Sequence, residues 1–201
     1  LAMDNHAQVV LDLAKERGIV RPRDLEPIGV PRVTLTRLVR SGRLVRPARG
    51  LYVLPDRPVS EHTALAEVAR KYPNGIVCLL SALRFHGLTT QAPFEVWLAV
   101  PNKARAPRLE YPPLRIVRFS GAALTEGVEV HEIEGVTVRI TAVAKTVADC
   151  FKYRNKIGLD VALEALHEAW RANRVQMDEL WHYARICRVS NVMRPYMESL
   201  A

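Results

Sequence analysis

Cysteine is scarce in this 201-residue chain: Cys78, Cys150 and Cys187 are odd in number and widely spaced. That excludes a disulfide framework and leads to the expectation of a reducing cytoplasm as the protein's location. Long uncharged apolar runs are missing, so no segment reads as a bilayer span. The opening residues 1–6 are short and polar, and Asp12 and Lys15 break the apolar run behind them, unlike a signal peptide. No Gly-rich phosphate loop occurs. The histidines (His6, His62, His86, His131, His167, His182) are scattered, with no pair at metal-ligand spacing. No metal or cofactor is therefore expected.

Catalytic constellations are equally thin. Ser81 lacks the glycines of a nucleophile elbow and reads instead as a cap for a short helix. His86, before Gly87, reads as a helix-end residue with its polar tip outward. Asp149 beside Cys150, with Lys145 one turn earlier, admits a nuclease or thiol reading. An i, i+4 ion pair and a buried cysteine account for the same residues more simply. A restriction-nuclease-like core wants a Glu-x-Lys, and Glu95-Val96-Trp97 does not supply the lysine. The expectation is that the protein is not an enzyme.

Positive charge is what the chain has in excess. The formal net charge is +8 and the sequence pI about 9.8, which suits a polyanionic partner. Residues 1–57 hold eleven Lys/Arg against six Asp/Glu, while residues 58–201 hold eighteen against fifteen. Arg37, Arg40, Arg43, Arg46 and Arg49 recur every third residue, and no acid stands between Arg32 and Arg49. A solvated basic face is the plain reading of such a run. Here it coincides with a particular local pattern.

Pro31 suits the first position of a helix. Leu35, Leu38 and Val39 fall on one face, with Arg32, Val33, Thr36, Arg37 and Arg40 on the opposite stripe. Ser41-Gly42 stops the helix. Leu44–Arg46 and Leu51–Leu54 read as two strands about the turn Pro47-Ala48-Arg49-Gly50. A helix with a basic outer face followed by a basic hairpin is a winged helix-turn-helix pattern, and its expected ligand is duplex DNA. Arg32, Thr36, Arg37 and Arg40 are the candidate residues for the DNA-facing stripe, since arginine can grip guanine bidentately and threonine can meet a base edge. Arg46 and Arg49 are expected at phosphates or in a minor groove. Arg43 belongs either to the DNA contact or to the negative end of the helix.

Ahead of this stretch, Asp4 or Asn5 can cap a first helix running to about Arg17 with Val9, Val10, Leu13 and Ala14 on one face. A second short helix over Arg21–Leu25 must end near Pro27. The expected first core is Val10, Leu13, Leu25, Ile28, Leu35, Leu38, Leu44, Tyr52 and Leu54. Pro55–Pro58 reads as a linker, and Ser60 as the cap of a helix over 61–72. Then follow a short helix over 81–87, strands over 94–100 and 114–119, a hairpin turning at Glu134-Gly135, and helices over 142–153, 159–172, 177–186 and 190–200. The fold class is α/β (α+β), with a winged helix-turn-helix domain over residues 1–57. A mixed α/β domain over 58–201 follows, having a small central sheet and a helical C-terminal end. Lys103, Arg105, Arg108, Lys145, Lys152, Arg154 and Lys156 offer a second basic surface, read first as solubility and otherwise as a DNA or partner contact. Trp170, Trp181, Tyr183, Tyr196 and Met197 read as core at helical spacing or, alternatively, as an interface.

Both halves together resemble the AbiEi-type antitoxins of type IV toxin–antitoxin systems. The first carries Thr36-Arg37-Leu38-Val39-Arg40-Ser41-Gly42-Arg43-Leu44 and Arg49-Gly50-Leu51-Tyr52. The second carries Cys78–Leu83, His86–Thr89, Glu95–Pro101 and Thr146–Phe151. The resemblance implies a repressor that binds inverted repeats in its own promoter and antagonises a nucleotidyltransferase-like toxin, without requiring a tight complex with it. A general winged-helix regulator with no toxin partner is the alternative.

Overall fold

The computed structural model of the protein describes residues 2–48, 50–55, 62–109 and 112–200; of residues 2–4, 47 and 48 it describes the backbone alone. The chain divides into two compact units, residues 1–61 and 62–201. The expected domain boundary after residue 57 and the Ser60 cap both lie outside the described residues.

In the first unit α1 (Ala2–Arg17) begins earlier than the expected cap at Asp4 or Asn5. Its buried face is Val10, Leu11 and Ala14, whereas Val9 is exposed and Leu13 only half-buried. The stripe is thus rotated from the expected one, because Leu11 competes for the same core. The short helix expected over Arg21–Leu25 is a 3₁₀ turn, Pro22–Asp24. The Arg21 N–H donates to the Asp24 carboxylate at 2.8 Å, and Pro27 arrives too soon for α-helical hydrogen bonds to propagate. Leu25 is fully buried, but Ile28, expected in the core, is 44% exposed on the turn that follows.

Next come α2 (Val33–Arg40) and an antiparallel hairpin of β1 (Val45–Ala48) and β2 (Leu51–Val53). Val20 pairs with Tyr52 through two backbone hydrogen bonds of 2.9 and 3.0 Å, adding a short third strand to the hairpin. Val10, Ala14, Val20, Leu25, Leu35, Leu38, Leu44 and Tyr52 share one core.

The second unit opens with α3 (Thr63–Lys71), β3 (Ile76–Val77) and α4 (Leu79–His86). Then follow β4 (Val96–Pro101), β5 (Leu114–Phe119), α5 (Ala122–Thr125), β6 (Val128–Ile133) and β7 (Val136–Thr141). Helices α6 (Val143–Lys152), α7 (Arg154–Ile157), α8 (Leu159–Arg171), α9 (Met177–Ile186) and α10 (Ser190–Glu198) complete it. β4 starts two residues later than the expected strand, leaving Phe94 81% exposed.

The five strands form one mixed sheet in the order β5-β4-β3-β7-β6. β4 runs parallel to β5 and β3 parallel to β7, while β3–β4 and β6–β7 are antiparallel. Period-2 alternation divides the side chains between two cores. Val77, Val96, Leu98, Val138 and Ile140 pack with Leu65, Val68 and Ala69 of α3. Ile76, Trp97, Ala99, Val117 and Phe119 pack with α6 and the C-terminal helices. Trp170, Trp181, Tyr183 and Tyr196 pack half-buried against this second core, and Met197 lies within it. At the β6–β7 turn Glu134 and Gly135 both have positive φ, 52° and 72°, the conformation that a two-residue hairpin loop matching strand twist requires.

Among the described residues of the second unit, no buried side-chain N or O is without a hydrogen-bond partner. Lys145, placed above on a basic surface, is 0% exposed; its Nζ lies 2.7 and 2.6 Å from the two Asp149 oxygens, one helical turn on. The ammonium also stands 4.6 Å from the Phe119 ring centroid, and the Cys187 thiol donates to Asp149 at 3.2 Å. Burial pushes the Asp149 carboxyl up, and the Lys145 ammonium opposes it. Ser81 is inside α4, not at its cap; its hydroxyl accepts the Trp97 N–H at 2.9 Å and ties the helix to β4. His86 is also turned inward, against expectation. Its Nε2 donates to the Thr141 carbonyl at 2.7 Å, and burial lowers its pKa. Both corrections have one cause: α4 lies against the sheet, so polar groups on that side must find main-chain partners.

All three tryptophans (Trp97, Trp170, Trp181) are in the second unit, so their fluorescence during urea unfolding reports on it alone. Asp149→Ala should cost about 3–5 kcal/mol by leaving a buried ammonium unpaired. The double variant Lys145→Met/Asp149→Leu should retain most of the stability; equal loss in both would show that the charge pair is not the source. The His86 shift also fixes a sign. Below pH 6.5 the unfolded chain takes up a proton that folded His86 resists, so stability falls as the pH drops from 6.5 toward the lowered folded value. His86→Gln, which can still donate to Thr141, should flatten that part of the pH profile of the urea midpoint.

Candidate nucleic-acid interface

α2 presents two faces. Thr34, Leu35 and Leu38 are buried, and Arg32, Val33, Thr36, Arg37 and Arg40 are all exposed. The regular helix begins at Val33, two residues after the expected start at Pro31, although the Thr34 N–H already bonds the Pro31 carbonyl at 3.0 Å. At the far end Gly42 has φ +71°. That left-handed residue lets the chain fold back so that the Arg43 and Leu44 N–H groups donate to the Leu38 carbonyl at 2.9 and 3.1 Å. The Ser41 hydroxyl donates to the same carbonyl at 3.1 Å. Leu44 returns to the core, and the hairpin leaves at once.

The candidate residues fall into three groups. Thr36, Arg37 and Arg40 stand on the outer stripe of α2. Arg32 shares that stripe and forms an ion pair with Glu26. Both partners are largely exposed, so the pair contributes little stability and exchanges readily. Arg43 is exposed just beyond the helix and shares a cavity with Arg37, His6 and Ala7. Arg46 is exposed on β1 with its guanidinium carbon 5.9 Å from the Tyr52 ring centroid, a cation–π contact that holds it to the hairpin. β1 reaches Ala48, so Pro47 and Ala48, expected in the turn, belong to the strand; Arg49 lies outside the described residues.

The exposed cations of α2 and the hairpin have no acid within their own stretch of sequence, and Glu26 of the preceding turn pairs with Arg32. Sequence reasoning did not find the His6 and Ala7 contribution, because adjacency of α1 to α2 depends on how the helices cross.

In the second unit Lys103, Arg105, Arg108, Lys152 and Lys156 are exposed, and Arg154 is half-buried, donating to the Phe151 carbonyl at 2.8 Å. Among the described residues no group of three His, Cys, Asp or Glu is placed to hold a metal ion. Cys78, Cys150 and Cys187 are buried, and burial pushes all three thiols up, away from the thiolate form. No described helix is long and apolar enough to cross a membrane.

Fold and surface therefore define an α+β protein whose helical N-terminal unit presents a basic helix and hairpin. Residues 8–55 match the family described as "Transcriptional regulator, AbiEi antitoxin", a stretch that contains α2 and the hairpin and ends before the second unit. The match indicates a transcriptional regulatory role. Comparison with curated proteins yields no match. Among solved structures the chain is similar to the RV2827C protein from Mycobacterium tuberculosis, with a TM-score of 0.58 and 16% identity over 89% of this chain and 71% of that one. At that identity the likeness shows a shared fold.

The turn at Gly42 is open, with nothing within 4 Å of an added Cβ, so Gly42→Ala costs backbone strain alone. About 1–2 kcal/mol of local stability should be lost, visible as faster amide exchange at Arg43 and Leu44. Unchanged exchange would mean that the left-handed turn is not what ends α2.

Proposed function

We propose that this chain is a sequence-specific DNA-binding repressor of the AbiEi antitoxin kind, acting on inverted repeats in the promoter of its own operon. α1, the 3₁₀ turn and α2 serve as a winged helix-turn-helix in which the middle helix is reduced to one turn, and β1–β2 serve as the wing. The observation that carries this reading is the coincidence of the acid-free run of sequence from Arg32 to Arg49, exposed along α2 and the hairpin, with the regulator family match over residues 8–55.

The candidates divide the contact among them. Arg37, Arg40 and Thr36 enter the major groove, and Arg32 exchanges Glu26 for a phosphate. Arg46 and Arg49 meet phosphates or the minor groove beside the wing, and Arg43 supports the helix end. The chain also antagonises a nucleotidyltransferase-like toxin, functionally and not necessarily by a stable complex. That part rests on the resemblance of the second unit. A general regulator without a toxin is favoured by one observation, that the family match stops at residue 55; a neighbouring gene for a nucleotidyltransferase-like protein distinguishes the two.

The test is a binding titration on duplex from upstream of the gene, beside random duplex of equal length, across a salt series. Clear preference for the upstream duplex is expected, with Arg37→Ala losing about 1–3 kcal/mol on it. Equal loss on both duplexes would make Arg37 a phosphate contact. Equal weak binding to both by the unaltered protein would overturn the repressor reading, since phosphate contacts alone are salt-sensitive and blind to sequence.

A further inference from the structure

The sheet order leaves β6 at one edge, with β7 as its strand partner. That pairing fixes which of its main-chain groups point outward. The Gly127 carbonyl accepts the Ala142 N–H at 2.8 Å, and the hairpin closes on the pair Ile133 and Val136. Along an antiparallel strand, residues bonded to the neighbour alternate with residues whose N–H and C=O point away from it. Gly127, Glu129, His131 and Ile133 therefore face β7, and Val128, Val130 and Glu132 direct their N–H and C=O groups to the open edge. Among the described residues nothing bonds to those outward groups. β6 carries no proline, lysine or bulge, the usual guards of an edge. Its register against β7 is unbroken, and Val130 at its centre is 65% exposed. What guards it is the exposed pair Glu129 and Glu132, and that guard depends on register.

A second copy related by a two-fold axis perpendicular to the sheet meets β6 antiparallel, with like faces on the same side. Centring the axis on Glu129 or on Glu132 sets two carboxylates opposite each other, and centring it on His131 sets two imidazoles opposite. Centring it on either end of the strand leaves little ladder. Centring it on Val130 sets Val130 against Val130 and Glu129 of each copy against His131 of the other. Opposite charges across strands stabilise a pairing that like charges oppose. Within one copy the His131 Nε2 donates to the Glu129 carboxylate at 2.9 Å, so acid and imidazole alternate around the axis. We propose that β6 is the docking surface for a second copy of this chain, joined antiparallel about Val130 into one continuous sheet. Val130 bonds Val130, and Val128 bonds Glu132, through the outward main-chain groups. Glu129 and His131 form the intervening pairs, whose side chains approach most closely. Under the DNA-binding reading such a dimer supplies one basic helix to each arm of an inverted repeat; the pairing itself does not rest on that reading.

Sedimentation equilibrium of the full chain over a concentration series tests the pairing. A reversible monomer–dimer equilibrium is expected. A chain monomeric at every concentration would overturn the proposal and leave the edge to a strand of some other protein. Amide hydrogen exchange tests the register in the unaltered protein. Exchange at Val128, Val130 and Glu132 should slow as the concentration rises, while Glu129 and His131, already bonded to β7, should not respond. Outward amides indifferent to concentration would overturn the interface, whatever the behaviour of any variant. Val130→Pro deletes an outward N–H and leaves the β7 ladder intact. Its urea midpoint by tryptophan fluorescence should hold, while the dimer dissociation constant rises at least about tenfold. A folded Val130→Pro that dimerises as tightly would place the interface elsewhere. On DNA, the unaltered protein should favour duplex carrying both repeat arms over duplex carrying one, and Val130→Pro should lose that preference. A preference that survives the substitution would overturn the link between pairing and repeat recognition. A protein that dimerises but binds no duplex would fail the repressor reading and leave the pairing standing.

Discussion

Leu38 carries two tasks at once in the first unit. Its side chain is sunk among Val10, Leu25, Leu35 and Leu44, and its carbonyl takes hydrogen bonds from the Ser41 hydroxyl and from the N–H groups of Arg43 and Leu44. The first contact sets the rotation of α2, and with it which residues face outward. The second sets where the helix stops and in which direction the hairpin leaves. A helix end ordinarily leaves carbonyls without partners. Here one of them gathers three donors, so the path from the outer stripe of α2 to the hairpin is a hydrogen-bonded corner and not a loose loop.

The second unit solves a different problem. Its sheet is covered on both faces, so the inner strands supply two apolar sets, as the alternation of Ile76 with Val77 and of Trp97 with Leu98 shows. Covering both faces also traps polar groups. Lys145, Asp149, His86, Thr141, Ser81 and Thr146 are all buried, and each is answered by another side chain or by main chain. The one buried side-chain N or O left without a partner among the described residues is Arg21 Nε, in the first unit. A buried ion pair contributes little net stability over an apolar substitute, yet removing one member is costly. Lys145–Asp149 is thus a constraint on how α6, α9 and the sheet may pack, and its position beside Cys187 and Phe119 gives it no route to solvent chemistry.

Arginine placement shows how charge and packing combine. On α2 the five outer residues stay exposed because the three inner ones have a core to enter. Lys145, at comparable helical spacing on α6, is drawn inside because α6 is covered on nearly all sides, every residue from Val143 to Phe151 being buried. Basic residues thus have opposite fates on the two helices. What differs is the number of neighbours around the helix, a quantity that spacing along the chain does not encode.

Local and periodic features were legible from the residues alone. α2 and its stop at Gly42, the Glu134-Gly135 hairpin, α9 over 177–186 and the exposed stripe of Arg32, Thr36, Arg37 and Arg40 depend on nearest neighbours and on 3.6- or 2-residue periodicity. Those are properties of the chain before it folds. The outcomes that depended on distant partners were decided by tertiary structure: Leu11 in place of Val9, the Val20–Tyr52 bridge, His86 and Ser81 turned toward the sheet, Lys145 inside, and the His6–Arg37–Arg43 cavity. In each, a side chain chose between two locally acceptable orientations, and the free energy separating them came from burial and hydrogen bonding with residues far away in sequence. Periodicity sets which residues share a face. Packing decides what that face meets.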